Sequence, residues 1–371
     1  MSIKNEINIE ILLDNPYQHQ IQPINTLNTF THLNAGKFPI SDKHSPNILS
    51  HNTITFMYGN NNDGKGYEMS LYNSQFTINQ KNNHITIAPF KMYIAYNQIE
   101  EHNKGFGFGF KFKDKSFSFI HSLYTYNYIN FPLFIFSQVN IKGKQLMNVY
   151  FGLPDNNELN LSKYKSYGKC RVNNEIDAWS CKGNKIKLSN SNNELDIKNV
   201  IFGSNVYGMI CSNRFLEFIS KSYPSMNMVI DKGRKILKDQ KDKVNKLLKG
   251  QNIMIEFGNR MKMTIPILDL FTCDKDLCMS QFYGGVQYKK VDEGYNILLG
   301  RNMFYLFNAM LFDYDDQSVS FYSNNINIIN IDDHITNEHT SISNNTTIMI
   351  YSDILCIIGI ALLYLTKREI N

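Results

Sequence analysis

Tyr295-Asn296-Ile297-Leu298-Leu299-Gly300-Arg301-Asn302-Met303-Phe304-Tyr305-Leu306-Phe307-Asn308-Ala309-Met310-Leu311-Phe312-Asp313-Tyr314 is the stretch whose reading decides the fold. An apolar run of the kind that forms a buried strand ends at Gly300. A short polar-flanked helical segment follows, then a second strand. Asp313-Tyr314-Asp315-Asp316 makes a turn into Ser318-Val319-Ser320-Phe321.

A second stretch has the same character. Asn103-Lys104-Gly105-Phe106-Gly107-Phe108-Gly109-Phe110 alternates glycine with phenylalanine, and glycines allow two backbones to cross closely. Two further stretches stand upstream of these. Ile7-Asn8-Ile9-Glu10-Ile11-Leu12-Leu13 alternates as a strand, Asn15-Pro16-Tyr17-Gln18 turns the chain, and Tyr17 to Ile24 leads into Asn25-Thr26-Leu27. In the second half, Asn199-Val200-Ile201-Phe202-Gly203-Ser204-Asn205 precedes a helix predicted over Asn213–Lys221, with Phe215, Leu216, Phe218 and Ile219 on one face. Between the halves stands Val149-Tyr150-Phe151-Gly152. Thr53-Ile54-Thr55-Phe56-Met57-Tyr58-Gly59 runs into an Asn/Gly-rich turn as a hairpin would.

In order and spacing these landmarks resemble a pepsin-like aspartic peptidase, over roughly residues 7–323 and twice within the chain. The resemblance implies an all-β bilobal fold with short helices. One lobe would cover residues 1–152 and the other 153–323. The stretch ending at Gly300 would buttress one catalytic loop, and Gly107 the other. Tyr58 and Gly59 would lie on the flap hairpin, and Thr26 and Ser204 would line a peptide-binding cleft.

What the resemblance does not find is the catalytic pair. Aspartic peptidases need two carboxylates sharing one proton, so that one acts as acid and the other as base on a water. The family's Asp-Thr-Gly falls on Asn25-Thr26-Leu27, and its Asp-Ser-Gly on Gly203-Ser204-Asn205. Asn25 can hydrogen-bond a water but cannot take its proton, and Gly203 has no side chain. Leu27 replaces the glycine of the tight loop, and His32 stands where the family has tryptophan. Asp14 and Asp196 have the wrong spacing to substitute. The expectation is an inactive homologue that keeps a cleft for a peptide or protein ligand. The alternatives are an active peptidase with divergent catalytic loops and a structural or adhesive ectodomain.

Composition limits other functions. With 371 residues, 43% hydrophobic, and 22 Tyr and 25 Phe, the chain can build a large strand-rich core. A net charge of +5 does not indicate nucleic acid. The densest basic run, Lys232 to Lys249, carries Ile236, Leu237, Val244, Leu247 and Leu248 and reads as one solvated amphipathic helix. Cys273 and Cys278 flank a turn, and Cys170 and Cys181 lie close in sequence. No His stands near either pair, so disulfides are expected rather than a metal site. No metal, phosphate loop or other cofactor is predicted.

After a polar spacer, 324–347, residues 348–365 form an apolar run of about the minimum length for a membrane-spanning helix. A buried C-terminal helix is the other reading, but no amphipathic pattern supports it. Lys367 and Arg368 in the tail, 366–371, place the tail in the cytosol and the large N-terminal part in a lumen or outside the cell. Sequons at Asn160, Asn344 and Asn345 fit that side. Met1 to Glu10 is not a signal sequence, so a tail-anchored, cytosol-facing orientation is the alternative.

Overall fold

The computed structural model describes the backbone of residues 8–13, 18–25, 32–34, 48–54, 67–80, 83–95 and 106–110. It then describes 118–324, apart from 142–143, 177, 190–193, 205, 232–233, 260 and 285–294, together with 328–330. Side chains are described from Phe108 onward, except at 141–145 and 328–330.

The chain begins with β1 (Asn8–Leu13), β2 (Gln18–Asn25), β3 (His32–Asn34), β4 (Ile48–Ile54), β5 (Tyr67–Gln80), β6 (Asn83–Ala95) and β7 (Phe106–Gly107). These form one sheet in the order β3-β6-β5-β1-β2-β7, with β4 beside β5. The β2–β7 pair is parallel, with Asn25 opposite Gly107.

Next come helix α1 (Phe119–Thr125) and the hairpin β8 (Leu133–Ile141) and β9 (Lys144–Phe151), then β10 (Ser166–Arg171). Ser118 caps α1 by accepting from the His121 amide. After β10 the order is β11 (Ser180–Leu188), β12 (Glu194–Asp196), β13 (Asn199–Gly203) and β14 (Met209–Cys211). Helix α2 spans Asn213–Ser222, capped by Ser212, and buries Phe215, Leu216 and Ile219 as its apolar spacing predicts.

The basic run is not one helix. It divides into β16 (Arg234–Gln240), preceded by β15 (Met228–Asp231), and helix α3 (Lys241–Leu248). The physical reason lies in Ile236 and Leu237. Adjacent residues of a strand point to opposite faces, and these two are buried in different apolar clusters. Only from Lys241 does helical spacing apply, with Val244 and Leu248 buried four residues apart.

The chain continues with β17 (Asn252–Phe257), β18 (Met261–Pro266), β19 (Phe271–Cys273), β20 (Leu277–Ser280), β21 (Phe282–Tyr283) and β22 (Asn296–Gly300). The decisive stretch then supplies α4 (Arg301–Phe304), β23 (Ala309–Asp313) and β24 (Ser318–Tyr322), in the predicted order. Asp313 closes the turn between the last two strands, its carboxylate accepting from the amides of Asp315 and Asp316 at 3.0 Å each.

One sheet draws on both halves of the sequence. Its antiparallel order is β10-β24-β23-β8-β9, so Phe134 of β8 lies opposite Phe312 of β23. The two rings stack with centroids 4.7 Å apart, and Trp179 packs edge-on against Phe312 at 5.2 Å. Phe108, Phe119 and Phe136 complete the buried aromatic cluster. Burying each such ring contributes about 1.5–3 kcal/mol. Two disulfides, Cys170–Cys181 and Cys273–Cys278, form as the cysteine spacing predicts.

Among the described residues no helix is long and apolar enough to cross a membrane. Residues 348–365 lie outside those described.

Candidate functional site

β13 and β22 are two buried five-residue strands, paired in parallel from Asn199 opposite Asn296 to Gly203 opposite Gly300. Their centres, Val200-Ile201-Phe202 and Ile297-Leu298-Leu299, are apolar without alternation, as strands covered on both faces require. β14 pairs antiparallel on the other side of β22. β22 therefore lies between two strands that are consecutive in sequence, and the chain joining them must cross over its end.

Glycine makes that crossing fit. The Gly300 amide donates to the Gly208 carbonyl at 2.8 Å, and the Arg301 amide to the Val206 carbonyl at 2.8 Å. A Cβ on Gly300 would overlap both carbonyl oxygens. Gly208 itself has φ +86°, and a Cβ there would run into the Gln281 carbonyl. Asn302 locks the loop, its Oδ1 accepting from the Gly208 amide at 2.7 Å. At the far end of the strand pair, Asn173 Nδ2 donates to Asn199 Oδ1 at 2.6 Å, and Asn199 Nδ2 to Asn296 Oδ1 at 2.8 Å.

The first half repeats the relationship. Asn25 ends β2 opposite Gly107 of the parallel strand β7, as Gly203 ends β13 opposite Gly300. The segment leaving β7 is held by the second half of the chain. Trp179 Nε1 donates to the Phe108 carbonyl at 2.6 Å, and the Tyr314 hydroxyl lies 3.1 Å from that carbonyl and 3.2 Å from that of Gly109. Burial pushes the Tyr314 phenol well above its ordinary pKa, with the Trp179 side chain acting in the opposite direction.

The chemistry is set by what these segments contain. Gln18 to Asn34, Gly105 to Phe110, Asn199 to Cys211 and Asn296 to Phe304 carry no Asp or Glu. The second crossing carries a cation. Arg301 is buried, and its guanidinium carbon lies 5.7 Å from the centroid of the half-exposed Tyr207 ring. The sequence reading passed over both residues. Arg301 could have been found as the first residue after Gly300, since whatever follows that glycine opens the helix beside the loop. Asn302 and Tyr207 carried no comparable signal.

The other residues singled out in the sequence are dispersed. Ser204 is buried immediately after β13. Asn160 is half-buried and caps a short helical turn, Leu161–Lys163, its Oδ1 accepting from the Ser162 amide at 3.0 Å. Thr26, Tyr58, Gly59, Asn344 and Asn345 lie outside the described residues. Among the described residues no cluster of His, Cys, Asp and Glu could hold a metal ion.

Two parallel strand pairs, each closed by glycine and one in each half of the chain, with a sheet drawing strands from both halves, define a pepsin-like fold. The solved structure of an aspartic proteinase from Irpex lacteus shares it, with a TM-score of 0.62 over 86% of this chain and 94% of that one, at 13% identity. No protein-family model and no curated protein matches the sequence.

Proposed function

We propose that this chain is a catalytically inactive homologue of the pepsin-like peptidases, with lobes at 1–152 and 153–323 and a cleft that binds a peptide or protein segment. One observation carries the reading. Asn25 and Gly203 occupy equivalent ends of two parallel strand pairs, and none of the four segments that build those pairs and their crossings contains a carboxylate. Activating water by a shared proton needs two acids about 3 Å apart. Asparagine and glycine leave neither an acid nor a base. The scaffold beneath the loops is retained nonetheless, since Gly300 still fits where no other residue would.

The anchoring belongs to the same proposal. Residues 348–365 span a membrane, the tail 366–371 is cytosolic, and the lobes face a lumen or the cell exterior. Two disulfides support an oxidising compartment.

The test of inactivity is digestion of a denatured protein by the purified full chain between pH 3 and 6, with and without a statine-type transition-state mimic. No inhibitor-sensitive cleavage is expected, and cleavage abolished by the mimic would overturn the reading. Protease protection of intact membranes tests the orientation. The lobes should be shielded and the tail exposed.

A further inference from the structure

The chain's positive charge is concentrated in one place. Between Arg234 and Lys249 stand seven Lys and Arg against two Asp, a net +5 that equals the charge of the whole chain, so the remainder is neutral. This segment is β16 and α3, and it frames a groove of about 750 Å³. Asn227, Met228, Val229, Lys238, Lys243 and Leu277 line it.

The register explains its chemistry. Lys238 pairs with Met279 and Gln240 with Leu277 across β16 and β20, so all four project from one face of the small sheet. Leu277 is 45% exposed and Met279 39% exposed. On β15, at the edge of that sheet, Met228 and Ile230 pair with Leu237 and Lys235 and are exposed toward its other face. Large aliphatic side chains are thus displayed beside lysines, with Asp239 already engaged by Lys243 at 2.7 Å.

We infer that this groove is a docking site for an acidic peptide segment with aliphatic anchors, borne by a partner protein. Charge complementarity selects the acidic character, because Lys238 and Lys243 line the groove against a single carboxylate, Asp239, which Lys243 already engages. The exposed Leu277 and Met279 beside Lys238 give the aliphatic anchors of a peptide a place to seat. Among the described residues no aromatic side chain lines the groove, so it offers no platform on which nucleic-acid bases would stack. The inference uses none of the residues at the strand crossings and stands whether or not the chain is a peptidase.

The experiment measures fluorescence anisotropy of a labelled peptide alternating Glu and Leu, titrated with the full chain in a neutral detergent. A peptide with Gln for Glu serves as the control. The Glu peptide should bind at least about tenfold more tightly than the Gln peptide and weaken several-fold between low and high salt. Lys238→Glu should cost about tenfold, and Leu277→Gln should weaken binding with the salt dependence retained. Both positions are at least partly exposed, so unchanged thermal melts are expected and separate loss of binding from loss of fold. Equal binding of the two peptides, or wild-type binding by both variants, overturns the inference. Sedimentation with phosphatidylserine vesicles that depends on Lys238, without peptide binding, would assign the face to lipid and overturn it as well.

Discussion

The amide of Gly300 donates to the carbonyl of Gly208 at 2.8 Å, and no side chain fits between them. This contact lets the loop after β13 cross the end of β22, so it is as much a part of the fold as the strands. Gly300→Ala should destabilise the protein by about 1–3 kcal/mol, because the added methyl meets two backbone oxygens that cannot rotate away. Urea unfolding would show this as a lower midpoint with an unchanged slope. A wild-type midpoint would mean that the crossing is looser than the geometry indicates.

Tyr314 ties the first half's glycine-rich segment to the last hairpin. Tyr314→Phe leaves the Gly109 carbonyl without this donor in a buried place, costing about 1–2 kcal/mol. It also predicts a pH signature. The folded-state pKa of Tyr314 is raised by burial, so its contribution is fully present below the unfolded tyrosine value of about 10. Above that value the unfolded chain releases a proton that the folded chain retains, and stability falls as pH rises. Wild type should therefore lose stability more steeply than Tyr314→Phe between about pH 9.5 and 11. Parallel profiles would show that the phenol is not held protonated.

How much of this was legible in the sequence depended on the length scale of the signal. Ile297 to Gly300 could be read as a buried strand from its apolar run ending in glycine, but its parallel pairing with Asn199–Gly203 could not, because that is a tertiary relationship. Helix α2 was legible from spacing alone. The run from Lys232 to Lys249 misled, because its apolar pairs fit a helical stripe equally well. Only the tertiary fact that Ile236 and Leu237 face different clusters makes the first part a strand. At the site, the absence of Asp and Glu from these segments was visible residue by residue. The packing of Arg301 over Tyr207 was not, since it depends on a loop crossing that no local pattern encodes.

The two disulfides should respond differently to reduction. Cys170 and Cys181 are both buried and their bond closes an 11-residue separation within the main core, whereas Cys273 is exposed at the tip of a hairpin. Mild reductant followed by alkylation and peptide mass spectrometry should label Cys273 and Cys278 first. Full reduction should then cost about 2–4 kcal/mol more as the buried bond opens. Simultaneous labelling of all four cysteines at low reductant would contradict the burial.

Asp239 makes an acid-side prediction. Burial alone would raise its pKa, but the Lys243 ammonium at 2.7 Å and the amides of Gln240 and Asn227 outweigh that and hold the carboxyl below its usual range. A carboxylate lowered in the folded state stabilises the fold above its unfolded pKa, near 3.9, and this contribution is lost as pH falls through the folded value. Asp239→Asn keeps an acceptor but removes the charge, so it should cost about 1–2 kcal/mol at neutral pH. The difference between the two proteins should be flat above about pH 5 and shrink below about pH 4. Thermal melts from pH 7 to pH 3 would measure both quantities, and a difference that grows on acidification would place the stabilising charge somewhere other than Asp239.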